Sequence, residues 1–222
     1  MSKLIQPKGD VLFEDLFQGD LSNWHHEGVG KVEIVRPGTM RLDCTGSRQG
    51  REGCHAFCRR DFPDPICVQY TLKVAQSNGL VITFVAMRGL NGEDMISDLP
   101  ARRGIFADYV GGDALMRSYH VSVSRYDDTG THTGVSNWRR NPGLNMVGQG
   151  ADLCKEVGRA YDICIVKDGP HCQLGVNGKL AHEFTDPGEI DDEIPSGGKV
   201  GFRAIGSKVI ADIRAFRVIS LR

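Results

Sequence analysis

Residues 160–184 have the sequence AYDICIVKDGPHCQLGVNGKLAHEF, and this stretch decides the fold class. Three runs rich in Val, Ile, Leu and Phe are separated by Asp168-Gly169 and by Asn177-Gly178. Asp-Gly and Asn-Gly between β-like runs indicate hairpins, because both central residues of the favoured two-residue turn need a positive φ. The stretch therefore predicts a three-stranded antiparallel meander.

The same pattern of short β-rich runs continues on both sides of the meander. Residues 199–205 and 209–219 predict two closing strands, and residues 81–87 are continuously apolar, as expected for a strand covered on both faces. Residues 89–112 are rich in Gly, Asp and Arg and predict a long loop. Helical signals are nearly absent. The chain of 222 residues therefore predicts an all-β protein, a two-sheet antiparallel sandwich in which residues 1–222 form a single domain.

Charge and hydropathy exclude several classes of partner. Lys and Arg total 27 against 28 Asp and Glu, which gives a formal net charge of −1. Such a chain has no overall field that would attract nucleic acid or an anionic membrane. No run approaches the roughly 20 apolar residues of a membrane-spanning helix. We therefore expect no nucleic-acid partner and no membrane partner.

The cysteines and the N-terminus favour a cytoplasmic protein. The seven cysteines are odd in number, and several lie in apolar runs, which favours buried free thiols over a disulfide framework. The first ten residues lack the apolar segment of a secretory signal. Exposed edges of the predicted sheets make a homodimer an expectation that the sequence leaves open.

One predicted strand has a polar face. In residues 119–126 the alternation places Val121 and Val123 on one side, towards the core. His120, Ser122, Ser124 and Tyr126 then share the opposite side. Hydroxyl and imidazole groups in register favour hydrogen bonding to a sugar, although a solvated sheet face has the same pattern.

The segment 137–143, NWRRNPG, concentrates side chains that suit an acidic sugar. Trp138 could stack on a sugar ring, and the guanidinium groups of Arg139 and Arg140 could bind a carboxylate in a bidentate manner. The alternative is a solvated loop tip at Pro142-Gly143. The predicted substrate-binding residues are Arg88, Tyr109, Ser122, Asn137, Trp138, Arg140 and Asn141.

Several segments resemble a known family. Residues 12–17 and 21–24 are similar to the opening strand of concanavalin A-like sandwiches, and residues 199–204 and 212–218 are similar to their last two strands. Residues 104–109, 119–122 and 138–143 resemble the YesU-like family of uncharacterised bacterial proteins. The resemblance implies a galectin-like jelly roll, often encoded alongside enzymes that degrade pectin (rhamnogalacturonan). It implies no established activity and no catalytic residue.

The residues allow two kinds of cleavage chemistry. A lyase acting on uronates needs a cation for the carboxylate, a base for the α-proton and an acid for the leaving oxygen. The predicted catalytic residues are Asp108, His120, Tyr126 and Arg139. A hydrolase needs two carboxylates. The segment 189–193, EIDDE, matches the E-x-D-x-E pattern of retaining glucanases in this superfamily, but its flanking Pro and Gly residues predict an acidic loop.

No cofactor is predicted, because phosphate-loop, dinucleotide and nucleophile-elbow motifs are missing from the sequence. No metal site is predicted either, since the adjacent His25 and His26 would point to opposite faces of a strand, and Cys54 and Cys58 have no matching second pair at zinc-ligand spacing. The sequence thus predicts a carbohydrate-active protein that cleaves short acidic (uronate-containing) plant cell-wall oligosaccharides, as a glycoside hydrolase or a lyase, in a cleft on a concave sheet. The alternatives are a non-catalytic, lectin-like binding protein and a structural domain without a sugar site.

Overall fold

The computed structural model describes residues 2–47, 52–190 and 193–222. These residues form fifteen β-strands and one short helix. In chain order the elements are β1 (Val11–Asp15), β2 (Trp24–Gly28), β3 (Lys31–Arg36), β4 (Thr39–Asp43), β5 (Gly53–Cys58), β6 (Ile66–Gln76), β7 (Leu80–Gly89), α1 (Ala107–Val110), β8 (Met116–Val123), β9 (Val135–Asn141), β10 (Asn145–Ala151), β11 (Ala160–Asp168), β12 (His171–Val176), β13 (Lys179–Thr185), β14 (Lys199–Ile205) and β15 (Ile210–Ser220).

The strands build two antiparallel sheets. Sheet A has eight strands in the order β13-β12-β11-β6-β15-β4-β3, with β1 paired to β15. Sheet B has seven strands in the order β10-β9-β8-β7-β14-β5-β2. The predicted all-β, two-sheet antiparallel sandwich is confirmed.

The predicted meander is confirmed as β11-β12-β13, with one turn displaced. Asn177 and Gly178 form the second turn with φ values of 50° and 74°, as predicted. The first turn lies at Gly169-Pro170, because Asp168 still pairs with His171 as the last residue of β11. A turn centred on Asp168-Gly169 would pair Pro170 with Lys167 in the ladder. Proline has no backbone N–H to donate there, so the turn lies one residue later.

The facing sides of the two sheets form the main apolar core. Trp24 stacks on Phe202 with ring centroids 5.7 Å apart and meets Phe216 edge-on at 5.1 Å. The phenol of Tyr70 crosses from sheet A to bond the Thr83 hydroxyl of sheet B at 2.6 Å. Side chains alternate between the two faces of a strand. In each strand of sheet B, the residues between the core residues therefore point to the outer face of the sheet, away from sheet A.

The long connection between β7 and β8 covers part of the outer face of sheet B. Met95, Tyr109 and Val110 from this connection pack with Phe57 and Phe84 of the sheet in a second apolar cluster. The connection contains α1, and no helix in the described ranges is long and apolar enough to cross a membrane.

The cysteines are all free, and six of the seven are buried. Cys67 on β6 and Cys164 on β11 lie with their Sγ atoms 3.2 Å apart on the outer face of sheet A. Leu4 and Ile5 of the N-terminal segment pack beside this pair.

Candidate functional site

Two neighbouring strands present polar side chains on the outer face of sheet B. Strand β8 alternates between this face and the core, where Tyr119 and Val121 are buried. Strand β9 alternates in the same way, with Trp138 in the core. The six side chains on the outer face, which we call the polar row, are Ser118, His120, Ser122, Asn137, Arg139 and Asn141.

Hydrogen bonds fix the centre of the polar row. Asn141 Nδ2 lies 2.9 Å from Ser118 Oγ and 2.9 Å from His120 Nδ1. With the amide as donor to Nδ1, the proton of a neutral His120 ring is assigned to Nε2. Asn141 Oδ1 is buried without a hydrogen-bond partner in the described ranges. The row thus keeps hydrogen-bonding capacity that the protein itself does not use.

His120 is neutral in this environment. Its side chain is 2% exposed, and burial lowers its pKa to about 3, helped by the positive charges of Arg139 and Arg203. A carboxylate placed beside these arginines would oppose their effect and raise the pKa of His120. The imidazole can therefore act as a hydrogen-bonding group or as a weak base at neutral pH.

Arg139 brings an open positive charge to the row. It is the register partner of His120, and its Nη1 donates a hydrogen bond of 2.6 Å to the carbonyl oxygen of Leu144. No carboxylate in the described part of the chain lies within ion-pair distance of this guanidinium. Beyond Arg139, Gln149 of β10 donates to Asn137 Oδ1 at 3.0 Å and extends the polar surface.

The only carboxylate on the described strands of this face is already engaged. Glu27 on β2 accepts hydrogen bonds from the Tyr109 hydroxyl at 2.7 Å and from Arg102 Nε at 2.9 Å. His25 Nε2 lies 3.1 Å from the same carboxylate. Burial and the Glu27 charge raise the pKa of Tyr109, so this phenol stays protonated. The described strands of this face therefore offer no pair of free carboxylates for glycoside hydrolysis.

A hollow of about 390 Å³ opens at one end of the outer face. Leu80 and Ile205, register partners on β7 and β14, line it, and two residues farther along these strands, on the same face, Ile82 pairs with Arg203. The hollow falls within the range of about 300–1,000 Å³ typical of small-molecule sites. Its lining residues are Asn78, Gly79, Leu80, Tyr126, Asp128, Ile205, Gly206 and Ser207.

Sequence comparison identifies the family. Residues 10–218 match the family described as Domain of unknown function (DUF1961). The chain belongs to the DUF1961 family. It is 28% identical over 193 residues to the Bacillus subtilis (strain 168) protein named "Uncharacterized protein YesU", with 84% of each chain covered. The predicted resemblance to YesU-like proteins is thereby confirmed.

Solved structures agree on the fold of this DUF1961 protein. A Bacillus subtilis protein of unknown function with a galectin-like fold superposes with a TM-score of 0.83 at 23% identity, covering 96% of both chains. A β-glucanase of Bacillus licheniformis superposes with a TM-score of 0.60 at 13% identity, covering 97% of this chain and 100% of that one. At these identities the likeness shows a shared galectin-like and glucanase-like jelly roll.

Two predicted binding residues of the DUF1961 chain lie inside the sandwich. Trp138 is fully buried, with its ring centroid 5.4 Å from that of Phe184, so the prediction that it stacks on a sugar is wrong. Arg140 is fully buried and bonds Asp186 at 3.0 and 3.2 Å, so it is no surface clamp. The prediction treated Trp138 and the arginine pair as exposed, whereas β9 continues through Asn141 and strand alternation turns the Trp138 and Arg140 side chains inward.

The prediction that His120, Ser122, Ser124 and Tyr126 share one face of a strand is correct only for His120 and Ser122. Strand β8 ends at Val123, and Ser124 adopts a φ of 51°, which turns the chain out of the strand. Ser124 and Tyr126 therefore do not continue the polar row. Tyr126 instead lines the hollow, with its hydroxyl donating to the carbonyl oxygen of Lys155 at 2.8 Å.

The remaining predicted residues lie away from the polar row. Asp108 lines a different hollow of about 460 Å³, beside Arg103 and Asp113. The Tyr109 hydroxyl is occupied by Glu27, as described above. Arg88 is half-exposed and pairs with Asp61 at 3.3 Å. The structure thus brings together five predicted residues, which are His120, Ser122, Asn137, Arg139 and Asn141.

The acidic segment 189–193 follows β13 and is outside the strands at its described positions. Glu189 is exposed, and the Glu193 carboxylate contacts Arg117. Asp191 and Asp192 lie outside the described residues. The predicted loop is confirmed at Glu189, Ile190 and Glu193, and these positions give no support to a glucanase-like carboxylate pair.

Sequence reasoning missed Arg203 of β14, which lies on the same outer face. In the predicted strand 199–205 the apolar residues Val200, Phe202 and Ala204 alternate with Arg203, so the signal was present. Phe106, whose ring lies 4.3 Å from the Arg203 guanidinium, gives no such signal because it comes from an irregular connection. The described ranges contain no group of three or more His, Cys, Asp or Glu side chains placed to hold a metal ion.

Proposed function

We propose that this protein binds a short acidic oligosaccharide on the outer face of sheet B. The observation that carries the proposal is the Arg139 guanidinium, which lies beside His120 without a carboxylate partner in the described ranges. Sugars are recognised by many directed hydrogen bonds, and the polar row offers amides, hydroxyls and an imidazole next to this cation. The fold shared with a β-glucanase supports the carbohydrate class, and the open cation supports an acidic sugar.

The polar row contains groups suited to both a carboxylate and a sugar hydroxyl. An arginine binds a carboxylate through two parallel N–H···O bonds, which fix its orientation as well as its charge. Asn141 Oδ1 is an acceptor without a partner in the described chain, and it suits a sugar hydroxyl donor. A uronate, which combines a carboxylate with several hydroxyls on one ring, satisfies both kinds of group.

A second candidate function is cleavage of the same ligand by β-elimination. The supporting observation is His120, whose Nε2 has no hydrogen-bond partner in the described ranges and whose ring is neutral. In this reaction Arg139 would bind the uronate carboxylate and His120 would accept the α-proton, while a C=C bond forms, the bond to the glycosidic oxygen at the β-carbon breaks and a water molecule protonates the leaving oxygen. Hydrolysis is disfavoured, because Glu27 is held by Arg102 and Tyr109 and has no carboxylate partner on the described strands of this face.

The experiment that tests both candidates is a screen of purified protein against polygalacturonan and rhamnogalacturonan fragments. Calorimetric binding, product masses and the ultraviolet absorbance of an unsaturated product are recorded on the same samples. Binding without new masses supports a lectin-like protein, and new masses with the absorbance support a lyase. New masses without that absorbance would indicate hydrolysis and contradict the assignment of Glu27 to a structural role. No binding to any acidic fragment would overturn the proposed function.

Several finer features stay predictions. The plant cell-wall origin of the acidic sugar follows from the resemblance to YesU-like proteins. Residence in the cytoplasm and a homodimer formed through a sheet edge are expectations of the sequence. Light scattering on the purified protein measures the oligomeric state directly.

A further inference from the structure

The most unusual charged group in the described structure is Arg203, at the centre of sheet B. Its side chain is fully buried on the outer face of the sheet. None of its three guanidinium nitrogens has a hydrogen-bond partner in the described ranges. Burial lowers the pKa of Arg203 to about 9, so the group still carries its charge at neutral pH.

No carboxylate in the described ranges compensates the charge of Arg203. Arg203 helps to lower the pKa values of His55 and His120, and the titratable groups that act on Arg203 itself are Tyr109 and Cys44, neither of which is a carboxylate. Glu27 is already bound to Arg102, and Glu52, next to Gly53 in the chain, forms no ion pair with Arg203. Residues 48–51, which precede this strand, contain no acidic residue in the sequence.

Arg140 shows how the same fold treats a buried arginine with a structural role. Both arginines are fully buried, Arg140 on the side of sheet B that faces sheet A and Arg203 on its outer face. Arg140 meets both carboxylate oxygens of Asp186, at 3.0 and 3.2 Å, and donates to the Glu193 carbonyl oxygen at 2.8 Å. A buried cation without such partners is strongly unfavourable, so its retention calls for an anion supplied from outside the chain.

The surroundings of Arg203 leave its hydrogen-bonding capacity intact. The guanidinium carbon lies 4.3 Å from the centroid of the Phe106 ring, and a cation–π contact holds the group without a carboxylate. At Gly53 an added Cβ atom would lie 2.3 Å from Arg203 Nε, so only glycine leaves room for the side chain here. The guanidinium is therefore held in place with its N–H groups unused.

The hollow at the end of the outer face lies close to this group, since Ile205 in its lining is two residues along β14 from Arg203, which is itself fully buried and does not line the hollow. Gly53, over which the Arg203 side chain leans, is the register partner of Ile205, and Ile205 forms part of the lining of the 390 Å³ hollow. The only acidic residue in the lining of that hollow is Asp128, which is exposed. Its charge is screened by solvent and opposes an entering anion only weakly.

We propose that Arg203 is the receptor for one sugar carboxylate, in a subsite bounded by Phe106, Gly53 and the hollow at Leu80 and Ile205. This inference rests on the proposed function and deepens it. The ligand enters from the hollow, and its carboxylate takes the two in-plane N–H groups that the protein leaves unpaired. Arg139, farther along the same face, is then free to bind a second acidic residue of the oligosaccharide.

The test compares Arg203→Met with wild type, using trigalacturonic acid and its carboxyl-reduced neutral counterpart in calorimetry. We expect Arg203→Met to lose roughly tenfold or more in affinity for the acidic ligand, because a charged pair is removed from a buried site. Affinity for the neutral counterpart should stay within about twofold of wild type. Equal affinity of variant and wild type for the acidic ligand would overturn the inference while leaving the proposed function standing. If neither ligand binds wild type, the proposed function itself fails.

Stability gives an independent readout that does not need the sugar. We expect Arg203→Met to melt at a higher temperature than wild type without ligand, since an unpaired buried charge is removed. The matched control Arg140→Met should melt at a lower temperature, because it strands Asp186. A lower melting temperature for Arg203→Met would show a structural role and contradict the inference. Should Arg203→Met fail to fold, Arg203→Lys, which keeps the charge and loses the planar fork, should still bind the acidic ligand more weakly.

Discussion

His120 and Arg139 are register partners on β8 and β9, and both side chains leave the sheet on its outer face. The pairing places a neutral imidazole directly beside an open guanidinium, with Asn141 bonded to the ring at 2.9 Å. Burial keeps the imidazole uncharged, so the two groups do not repel each other. The arrangement provides one cation and several hydrogen-bonding groups on a single rigid ladder.

The first prediction concerns the charge of this pair. Arg139→Gln should weaken binding of acidic oligosaccharides by roughly tenfold or more while changing the free energy of unfolding by less than about 1 kcal/mol. The reason is that Arg139 has no carboxylate partner in the described chain whose charge would be left unpaired. The measurement is calorimetric titration, with urea unfolding of the same samples.

The matched control for that prediction is Arg217→Gln. Arg217 lies on β15 of sheet A, is exposed, and pairs with Glu14. It should leave sugar affinity unchanged. An equal loss of affinity in both variants would contradict a site on the outer face of sheet B.

The second prediction concerns pH. Burial lowers the pKa of His120 to about 3 and that of His182 to about 4, from an unfolded value near 6.5. Between these values the unfolded chain binds protons that the folded chain does not, so stability is lost as the pH falls below 6.5. Each histidine should cost roughly 2 kcal/mol of unfolding free energy at about pH 5. The measurement is urea unfolding at a series of pH values.

A variant isolates the contribution of one histidine to this acid sensitivity. His120→Gln should reduce the loss of stability between neutral pH and about pH 5, because one of the protonating groups is gone. If wild type keeps its full stability at about pH 5, the buried neutral state of His120 and His182 is contradicted.

The third prediction separates Trp138 from ligand binding. Trp138→Phe should lower the free energy of unfolding by about 1–3 kcal/mol, because the smaller ring leaves space beside Phe184 in the core. Affinity of the folded variant for acidic oligosaccharides should be that of wild type. A selective loss of affinity with unchanged stability would instead place this ring in the binding site.

The fourth prediction concerns the buried ion pair behind the polar row. Asp186→Ala should lower the free energy of unfolding by about 3–5 kcal/mol, since it removes a fully buried carboxylate that faces the buried Arg140 guanidinium. It also removes the acceptor for the Tyr119 hydroxyl. A change below about 1 kcal/mol in urea unfolding would show that the pair contributes little.

The fold could be predicted from the sequence because its signals are local. Asn177-Gly178 forces a hairpin wherever the rest of the chain goes, and strands such as Lys199–Ile205 show their alternation directly. The displaced turn at Gly169-Pro170 shows the limit of such signals. The pairing of Asp168 with His171 depends on the neighbouring strand as well as on the turn residues.

The candidate site was only partly predictable, because burial depends on which face of a strand meets the other sheet. The sequence shows Asn137, Trp138 and Arg139 as neighbours, but strand alternation sends the tryptophan inward and its two neighbours outward. The partner of Arg140 is Asp186, 46 positions away, which no local pattern reveals. The alternation of β14 predicts that Arg203 lies on the outer face. Only the folded structure shows that its guanidinium has no hydrogen-bond partner in the described ranges.

The most direct test of the account is a crystal structure of the protein with trigalacturonic acid. The account predicts density for the sugar on the outer face of sheet B, with carboxylate oxygens within hydrogen-bond distance of Arg139 and of Arg203. Density confined to the hollow beside Asp108, or to sheet A, would contradict the account.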